Sequence, residues 1–184
     1  MKTILAIVLF ISTIFAPVYA NQDIEIVIIR SAHELQVKSG GITLRTFKVA
    51  FGSGGRKAKK FEGDRKTPLG TYSIKRVRSS DHFHLFLQIN YPNTNDAERA
   101  LKSHIISKKE YQAILMAHAK GQLPPQNTAL GGSIGFHGIG TETKDKLKIH
   151  EFVDWTTGCI AMRNHEIDEL NRYIHIDTKV SIIN

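Results

Sequence analysis

The chain has 184 residues, a formal net charge of +8 and a single cysteine. This length supports one domain that buries most of its apolar surface, and one cysteine excludes a disulfide framework within the chain. A positive charge of this size indicates an anionic partner.

The N-terminus is typical of a secretory leader. Lys2 precedes an apolar run over 3–16, and small residues follow at the end of the segment 17–20. This arrangement predicts a signal peptide over residues 1–20 and a mature chain that begins at Asn21. We therefore expect an exported protein of the periplasm or cell wall, with no membrane span after cleavage, no nucleic-acid partner and a monomeric state.

The beginning of the mature chain predicts a β-meander. Segments rich in β-branched residues lie at 24–30, 33–38 and 42–51. A Ser-Gly-Gly turn at 39–41 separates the second segment from the third. The apolar positions of the third segment change parity between Leu44 and Phe47, which predicts a bulge there.

A glycine-rich basic segment follows at 52–66. Its cationic side chains, from Arg56 to Lys66, outnumber the acidic Glu62 and Asp64. Composition predicts a solvated, mobile loop, which could contact an anionic wall polymer. A phosphate-binding P-loop is excluded because no Gly-Lys-Ser/Thr ending and no helix pattern follow.

The middle of the chain predicts two strands and two helices. The strands are expected at 71–77 and 83–89 and a short polar helix at 94–102, and Ser107 and Glu110 form a capping box that starts a packing helix. His82 and His84 alternate along a strand, but no third ligand near them completes a metal site. We therefore expect these histidines to face solvent and the protein to need no metal or cofactor.

The segment 133–164 contains the residue types of a thiol nucleophile and its base. His137 leaves a predicted strand on the side away from Phe136, and Gly138 allows a turn directly after it. A free thiol has a pKa of ~8.5 and needs a neighbouring base to ionise near neutral pH. Cys159 is the candidate nucleophile and His137 the candidate base, while Gly158 lets backbone N–H groups face an incoming carbonyl oxygen.

A structural role for these residues is the alternative. Free cysteine is among the most buried residue types, so Cys159 beside Ile160 could be a small core residue. An unpaired thiol in an oxidising compartment is a chemical liability, which favours the catalytic interpretation. Trp155 either walls a substrate cleft or belongs to the core.

The last part of the chain, from residue 141 onward, predicts a loop, a helix and a strand. A polar loop is expected at 141–148 and a final strand at 175–183, and Asn164 is expected to cap a helix that contains Ile167 and Leu170.

Three blocks of the sequence together resemble the YkuD-type L,D-transpeptidases of bacterial cell walls. The blocks read Glu-Gly-Asp with Thr-Pro-Leu-Gly-Thr-Tyr at 62–72, Ile-Gly-Phe-His-Gly at 134–138 and Thr-Thr-Gly-Cys-Ile at 156–160. The resemblance covers most of residues 21–184 and implies one catalytic domain of mainly β (α+β) class, a β-sandwich with helical insertions.

Carried over onto this chain, the resemblance implies roles for individual residues. Cys159 would be the nucleophile, His137 its base, and the Gly138 carbonyl would orient the imidazole. Backbone N–H groups of Thr157, Gly158 and Cys159 would hold the oxyanion. Trp155, which precedes the cysteine turn, and Arg163, two positions beyond Ala161, are the substrate-cleft candidates because of their positions in the sequence. Thr157 and Ala161 stand where the family usually has histidine and arginine, so substrate choice need not follow the usual pattern.

The implied reaction is cysteine acyl transfer on peptidoglycan stem tetrapeptides. The first alternative is hydrolysis at the same site, as an L,D-carboxypeptidase or a hydrolase of wall-linked peptides. The second is a non-catalytic wall-binding protein with an inert cysteine. Sortases, papain-like enzymes and a zinc peptidase that uses His137, His150 and Cys159 fit the order or spacing of these residues less well.

Overall fold

The computed structural model describes residues 23–184, so the predicted leader lies outside the described residues. Eight strands in this part of the chain are β1 (Ile24–Ile29), β2 (Glu34–Ser39), β3 (Ile42–Lys48), β4 (Gly70–Ser80), β5 (His84–Ile89), β6 (Gly135–His137), β7 (Ile160–Ala161) and β8 (Lys179–Ile183). The helices are α1 (Thr94–Lys102), α2 (Lys108–Ala119), α3 (Lys144–Phe152) and α4 (Asn164–Asn171).

The strands form one mixed sheet in the order β3-β2-β1-β8-β4-β5-β6-β7. The pairs β1–β8 and β6–β7 are parallel, and the other pairs are antiparallel. Just after β3, Ala50 exchanges two backbone hydrogen bonds with Ala161 of β7. These bonds bring the two ends of the strand order together around a shared interior, and the predicted mainly β, α+β class is confirmed.

Alternation along the strands builds that interior. Ile26 and Ile28 of β1 face Leu35 and Val37 of β2, and all four side chains are fully buried. Full burial of one such side chain contributes ~1.5–3 kcal/mol relative to exposure. Every strand adds at least one residue to this core, and Phe136 of β6 and Ile160 of β7 contribute the part nearest the candidate site.

Several local predictions agree with the structure. α1 covers 94–102 as predicted, and Ser107 and Glu110 form the predicted capping box at the start of α2. In the β2–β3 pair, Val37 lies opposite Arg45 whereas Lys38 lies opposite Thr43. The unpaired residue between Thr43 and Arg45 is Leu44, so the predicted bulge is confirmed.

Two predictions between β6 and α4 are wrong. The expected polar loop at 141–148 contains the first half of α3, which is capped by the Thr143 side chain and buries only His150. Because α3 has almost no apolar stripe, periodicity gave no signal for it. Asn164 is not the cap of α4, since its side chain hydrogen-bonds both the N–H and the carbonyl of Gly140.

The predicted solvated loop at 52–66 is exposed along most of its length, but the prediction is wrong for one ion pair within it. The side chains of Lys59 and Asp64 are 4% and 3% exposed and form an ion pair at 2.8 Å. Asp64 also accepts hydrogen bonds from the backbone N–H groups of Lys60 and Lys66, at 2.7 and 3.1 Å. The amino-acid composition could not predict this buried ion pair, because it gives the number of charges but not which of them are paired in the interior of the protein.

None of the helices between residues 23 and 184 has the length and apolar character needed to cross a bilayer.

Candidate active site

Strand register places the candidate base beside the strand that follows the candidate nucleophile. Phe136 pairs with Ile160 and His137 with Ala161 in the parallel ladder between β6 and β7. Side chains alternate along strands, so His137 and Ala161 share the face opposite Phe136 and Ile160, and Cys159 directly precedes β7.

The His137 ring is held in one orientation. Its Nδ1 lies 2.7 Å from the carbonyl oxygen of Gly138. A carbonyl can only accept, so Nδ1 carries the proton and Nε2 is the basic position. The ring is 3% exposed, with Phe83 and Trp155 packed on it at centroid distances of 4.4 and 5.6 Å. Burial lowers the pKa of His137, against the opposing effect of the Gly138 bond, so the ring is neutral at pH 7.

The Cys159 thiol is protonated at rest. Burial raises its pKa to about 11, although the backbone N–H of Gly135 and the charge of Lys59 act in the opposite direction. Sγ donates to the carbonyl oxygen of Ser133 at 3.4 Å. No hydrogen bond joins Sγ to the His137 ring in this structure, in which both residues are described.

Two threonines fix the backbone at Cys159. The Thr156 hydroxyl donates to the Cys159 carbonyl at 2.7 Å and accepts the Gly158 N–H at 3.1 Å, and the Thr67 hydroxyl lies 3.5 Å from the same carbonyl. Gly158 has a φ of +138°, which a residue with a side chain rarely adopts. Thr67 and Thr156 lie in the motif blocks, but the sequence gave no reason to assign them this positioning contact.

Cys159 opens into a polar cavity of about 440 Å³. Thr157 lines the cavity together with the glycines at 131 and 132, and charged residues of the 59–65 segment line it as well. The N–H of Gly158 is already bonded to Thr156, so of the predicted oxyanion donors only Thr157 and Cys159 keep the N–H for a ligand.

The two predicted cleft residues, Trp155 and Arg163, are not among the residues that line this cavity. Trp155 lines a separate, mostly apolar cavity of about 310 Å³ with Phe83 and Ile149. Its Nε1–H donates to Nδ1 of His150 at 3.3 Å. Burial, followed by the nearby charge of Arg163, lowers the pKa of His150 to about 4. Trp155 thus packs on the base, Arg163 lies close enough to His150 to affect its pKa, and neither residue lines the cavity of the thiol.

The strand histidines do not form a metal site in the described chain. His84 pairs with both carboxylate oxygens of Asp168 at 2.9 Å. Residues 23–184 contain no group of three or more His, Cys, Asp or Glu side chains arranged to hold a metal ion.

The buried histidines predict that acid destabilises the fold. The folded-state pKa values of His137 and His150 lie below 6.5, so the unfolded chain binds more protons between about pH 6.5 and 4. The free energy of unfolding should therefore fall as pH falls through this window. Urea unfolding at pH 7 and 4.5 checks this, and His150→Gln should show a smaller drop than the wild type. An equal drop in both proteins would contradict the role given to His150.

Comparison with known proteins relates the chain to one family and one fold. The family described as YkuD, L,D-transpeptidase catalytic domain, matches residues 23–182. Curated protein sequences give no match. Among solved structures, Bd1075 of Bdellovibrio bacteriovorus has a TM-score of 0.56 at 20% identity, over 91% of this chain and 50% of that one.

Two further structures have the same fold. The helical cell shape determining protein Pgp2 of Campylobacter jejuni has a TM-score of 0.55 at 19% identity, over 89% of this chain and 48% of that one. An L,D-transpeptidase of Xylanimonas cellulosilytica has a TM-score of 0.51 at 12% identity, over 90% and 62%. The present chain thus spans between about half and three fifths of the length of these proteins.

Proposed function

The chain belongs to the L,D-transpeptidase catalytic-domain family, and on that premise we propose that it transfers acyl groups of peptidoglycan stem tetrapeptides through a thioester on Cys159. The observation that supports the proposal is the strand register, which pairs His137 with the strand that Cys159 directly precedes, while the Gly138 carbonyl occupies Nδ1 and leaves Nε2 as the basic position. The 440 Å³ cavity gives a peptide access to the sulfur.

The first step forms the thioester. The thiol proton passes to Nε2 of His137 as Sγ attacks the carbonyl carbon of the diamino acid at the third position. The N–H groups of Thr157 and Cys159 receive the developing oxyanion. The C–N bond then breaks, and the leaving amine of the terminal D-alanine takes the proton from His137. A neutral resting pair suits this sequence because the charge appears only when the substrate is bound.

The second step regenerates the thiol. An amine of a neighbouring stem attacks the thioester carbon and gives a proton to His137. The C–S bond breaks, and Sγ recovers that proton. If water attacks instead, the same site is an L,D-carboxypeptidase or a hydrolase of wall-linked peptides. The polar lining of the cavity, with exposed Glu62 and Arg65, favours this as the second candidate because water can reach the thioester.

The two departures from the family pattern bear on substrate choice. Ala161 is fully buried, and its backbone pairs with Ala50 on one side and His137 on the other, so this position holds a small side chain in the interior where the family usually has an arginine. Thr157 is exposed and lines the cavity of the thiol. We propose that Thr157 contacts the substrate directly in place of the usual histidine.

The family implies action on the cell wall, and we propose export to the periplasm or wall, a monomeric state and no cofactor. The basic segment from Arg56 to Lys66 would contact an anionic wall polymer at its exposed side chains. A non-catalytic wall-binding protein would keep that contact but would not form a thioester.

Incubation of the mature protein with stem tetrapeptides tests the reaction. The expected products are cross-linked dimers together with released D-alanine, weighed by mass spectrometry. A tripeptide without dimers would identify the hydrolase instead, and unchanged tetrapeptide would contradict both. Chelators should leave the rate unchanged, since the proposed steps use only a thiol and an imidazole.

A further inference from the structure

The side chain of Asn164 holds the turn that follows the base. Its Nδ2 donates to the carbonyl of Gly140 at 2.7 Å, and its Oδ1 accepts the N–H of Gly140 at 3.2 Å. One amide therefore uses its donor and its acceptor on a single backbone residue, which fixes the two groups relative to each other. The backbone N–H of Asn164 also donates to Oε1 of Glu142 at 2.8 Å, so a third bond joins the same two segments.

The same amide packs on the residue that orients the imidazole. A Cβ added to Gly138 would lie 2.4 Å from Oδ1 of Asn164 and 2.7 Å from the carbonyl oxygen of Phe83, so only glycine allows this approach. The N–H of Gly138 donates to the carbonyl of Leu85 at 3.3 Å. Gly138 is thus held between β5 and the Asn164 side chain, and its own carbonyl accepts the Nδ1 proton of His137.

This link lies where the strand ladder beside the site stops. The pairing of β6 with β7 ends at His137 and Ala161, and the last backbone bond between the two segments runs from the Met162 N–H to the His137 carbonyl at 3.0 Å. Beyond that point the chain turns at Gly138 on one side and enters α4 on the other. The Asn164 amide therefore joins the segment that carries the base to the segment that carries the nucleophile.

The start of α4 does not need Asn164 as a cap. The carboxylate of Glu166 accepts the backbone N–H of Arg163 at 2.9 Å, which is the reciprocal half of a capping box. The Asn164 side chain instead points its polar atoms at Gly140. Its contacts are therefore better explained by the turn after His137 than by the helix that it begins.

We propose that Asn164 is a positioning residue for the base, which fixes the Gly138 carbonyl and so keeps the His137 proton on Nδ1. This rests on the proposed function, in which Nε2 takes the thiol proton. The hydrogen bond made by one ring nitrogen sets the protonation of the other. If the Gly138 carbonyl moved away, the tautomer with its proton on Nε2 would become populated, and that tautomer has no lone pair at Nε2 to accept the thiol proton.

The tautomer can be read directly, without any turnover. Imidazole ¹⁵N NMR at pH 7 distinguishes a proton on Nδ1 from one on Nε2, and the spectrum of His137→Gln assigns the His137 signals. We expect the wild type to carry the proton on Nδ1 alone and Asn164→Ala to show both tautomers. Asn164→Asp keeps the size of the side chain but loses the donor to the Gly140 carbonyl, so it should show both tautomers as well.

Steady-state kinetics gives a second readout. Asn164 does not line the cavity of Cys159, so its loss should leave the KM for a stem tetrapeptide unchanged. The kcat should fall by about 10²-fold, the effect of misplacing a reacting group by ~1 Å. A fall in kcat at constant KM is the signature of a misplaced base, because damage to the peptide cavity would raise KM.

Two variants in the same helix are the controls. Asn171→Ala removes the same side chain from an exposed position of α4 and should change neither the tautomer nor kcat. Ile167→Val loosens the buried face of α4 without touching the turn, and should lower the melting temperature alone. Tautomer mixing in Ile167→Val would overturn the proposal, since general loosening of the helix would then be sufficient.

Two further results would also overturn it. One is a wild type with the His137 proton on Nε2. The other is a folded Asn164 variant with a lower melting temperature but an unchanged tautomer and kcat, which would make Asn164 a structural residue only. If Asn164→Ala does not fold, Asn164→Asp decides between these results. A wild type that leaves stem tetrapeptides unchanged would reject the proposed function, whereas the NMR measurement would still test the role of Asn164.

Discussion

Replacement of Cys159 with alanine is expected to abolish thioester formation and turnover while leaving the fold intact. Loss of a nucleophile in a comparable acyl-transfer site lowers kcat by about 10⁴-fold or more. Cys159 is partly exposed and its backbone contacts are made by its carbonyl, so alanine keeps the hydrogen bonds from Thr156 and Thr67. The loss is measured as turnover of stem peptides and as acylation of the thiol by a carbapenem, a reaction that membership of the family leads us to expect.

A substitution of the base and a choice of chemical probe are needed to interpret the loss of activity in Cys159→Ala. His137→Gln should reduce the rate by ~10²–10⁴-fold, the usual contribution of a general base, without removing the sulfur.

Simple alkylation at pH 7 is a poor test of the wall-binding alternative. A thiol with a pKa of about 11 reacts slowly whether the protein is an enzyme or a wall-binding protein. Acylation by a bound carbapenem discriminates, and an unacylated wild type that still binds wall sacculi would support the non-catalytic alternative.

Replacement of Asp64 with alanine is expected to give the largest loss of stability. It leaves the ammonium of Lys59 buried without a counter-ion and removes the acceptor of two short backbone hydrogen bonds. Breaking a buried pair in this way costs about 3–5 kcal/mol, which corresponds to roughly 6–20 °C in melting temperature for a chain of this size. Urea unfolding and thermal melting measure both quantities.

The partner substitution Lys59→Met should cost less. Burial by itself would raise the pKa of Asp64, but hydrogen bonds from Lys59 and from the N–H groups of Lys60 and Lys66 hold it below its usual value. Two of these three donors remain in Lys59→Met, so the carboxylate stays satisfied. Equal losses for the two variants would mean that the ion pair alone, and not the backbone hydrogen bonds to Asp64, stabilises the turn.

The candidate site could be predicted only in part. The lone thiol, the His-Gly pair and their spacing identified Cys159 and His137 as a proposed pair, because few other roles suit those residue types in a chain that is predicted to be exported. The Gly138 carbonyl was expected from the resemblance, and the structure shows it bonded to Nδ1. The cleft candidates Trp155 and Arg163 were chosen by proximity in sequence, which does not report the direction of a side chain across a sheet.

The sequence by itself determined the β-rich class, the helices that have caps, the Leu44 bulge and the family, since each depends on local patterns or on short motifs. Only the tertiary structure decided which charges are inside and which are unpaired. Lys59 and Asp64 look like their neighbours in composition, and Glu62 and Arg65 are no different until the fold places them beside Cys159. Burial and pairing depend on contacts between segments that are distant in sequence. They determine the free energy of placing a charge in the fold and whether that charge is available to a ligand.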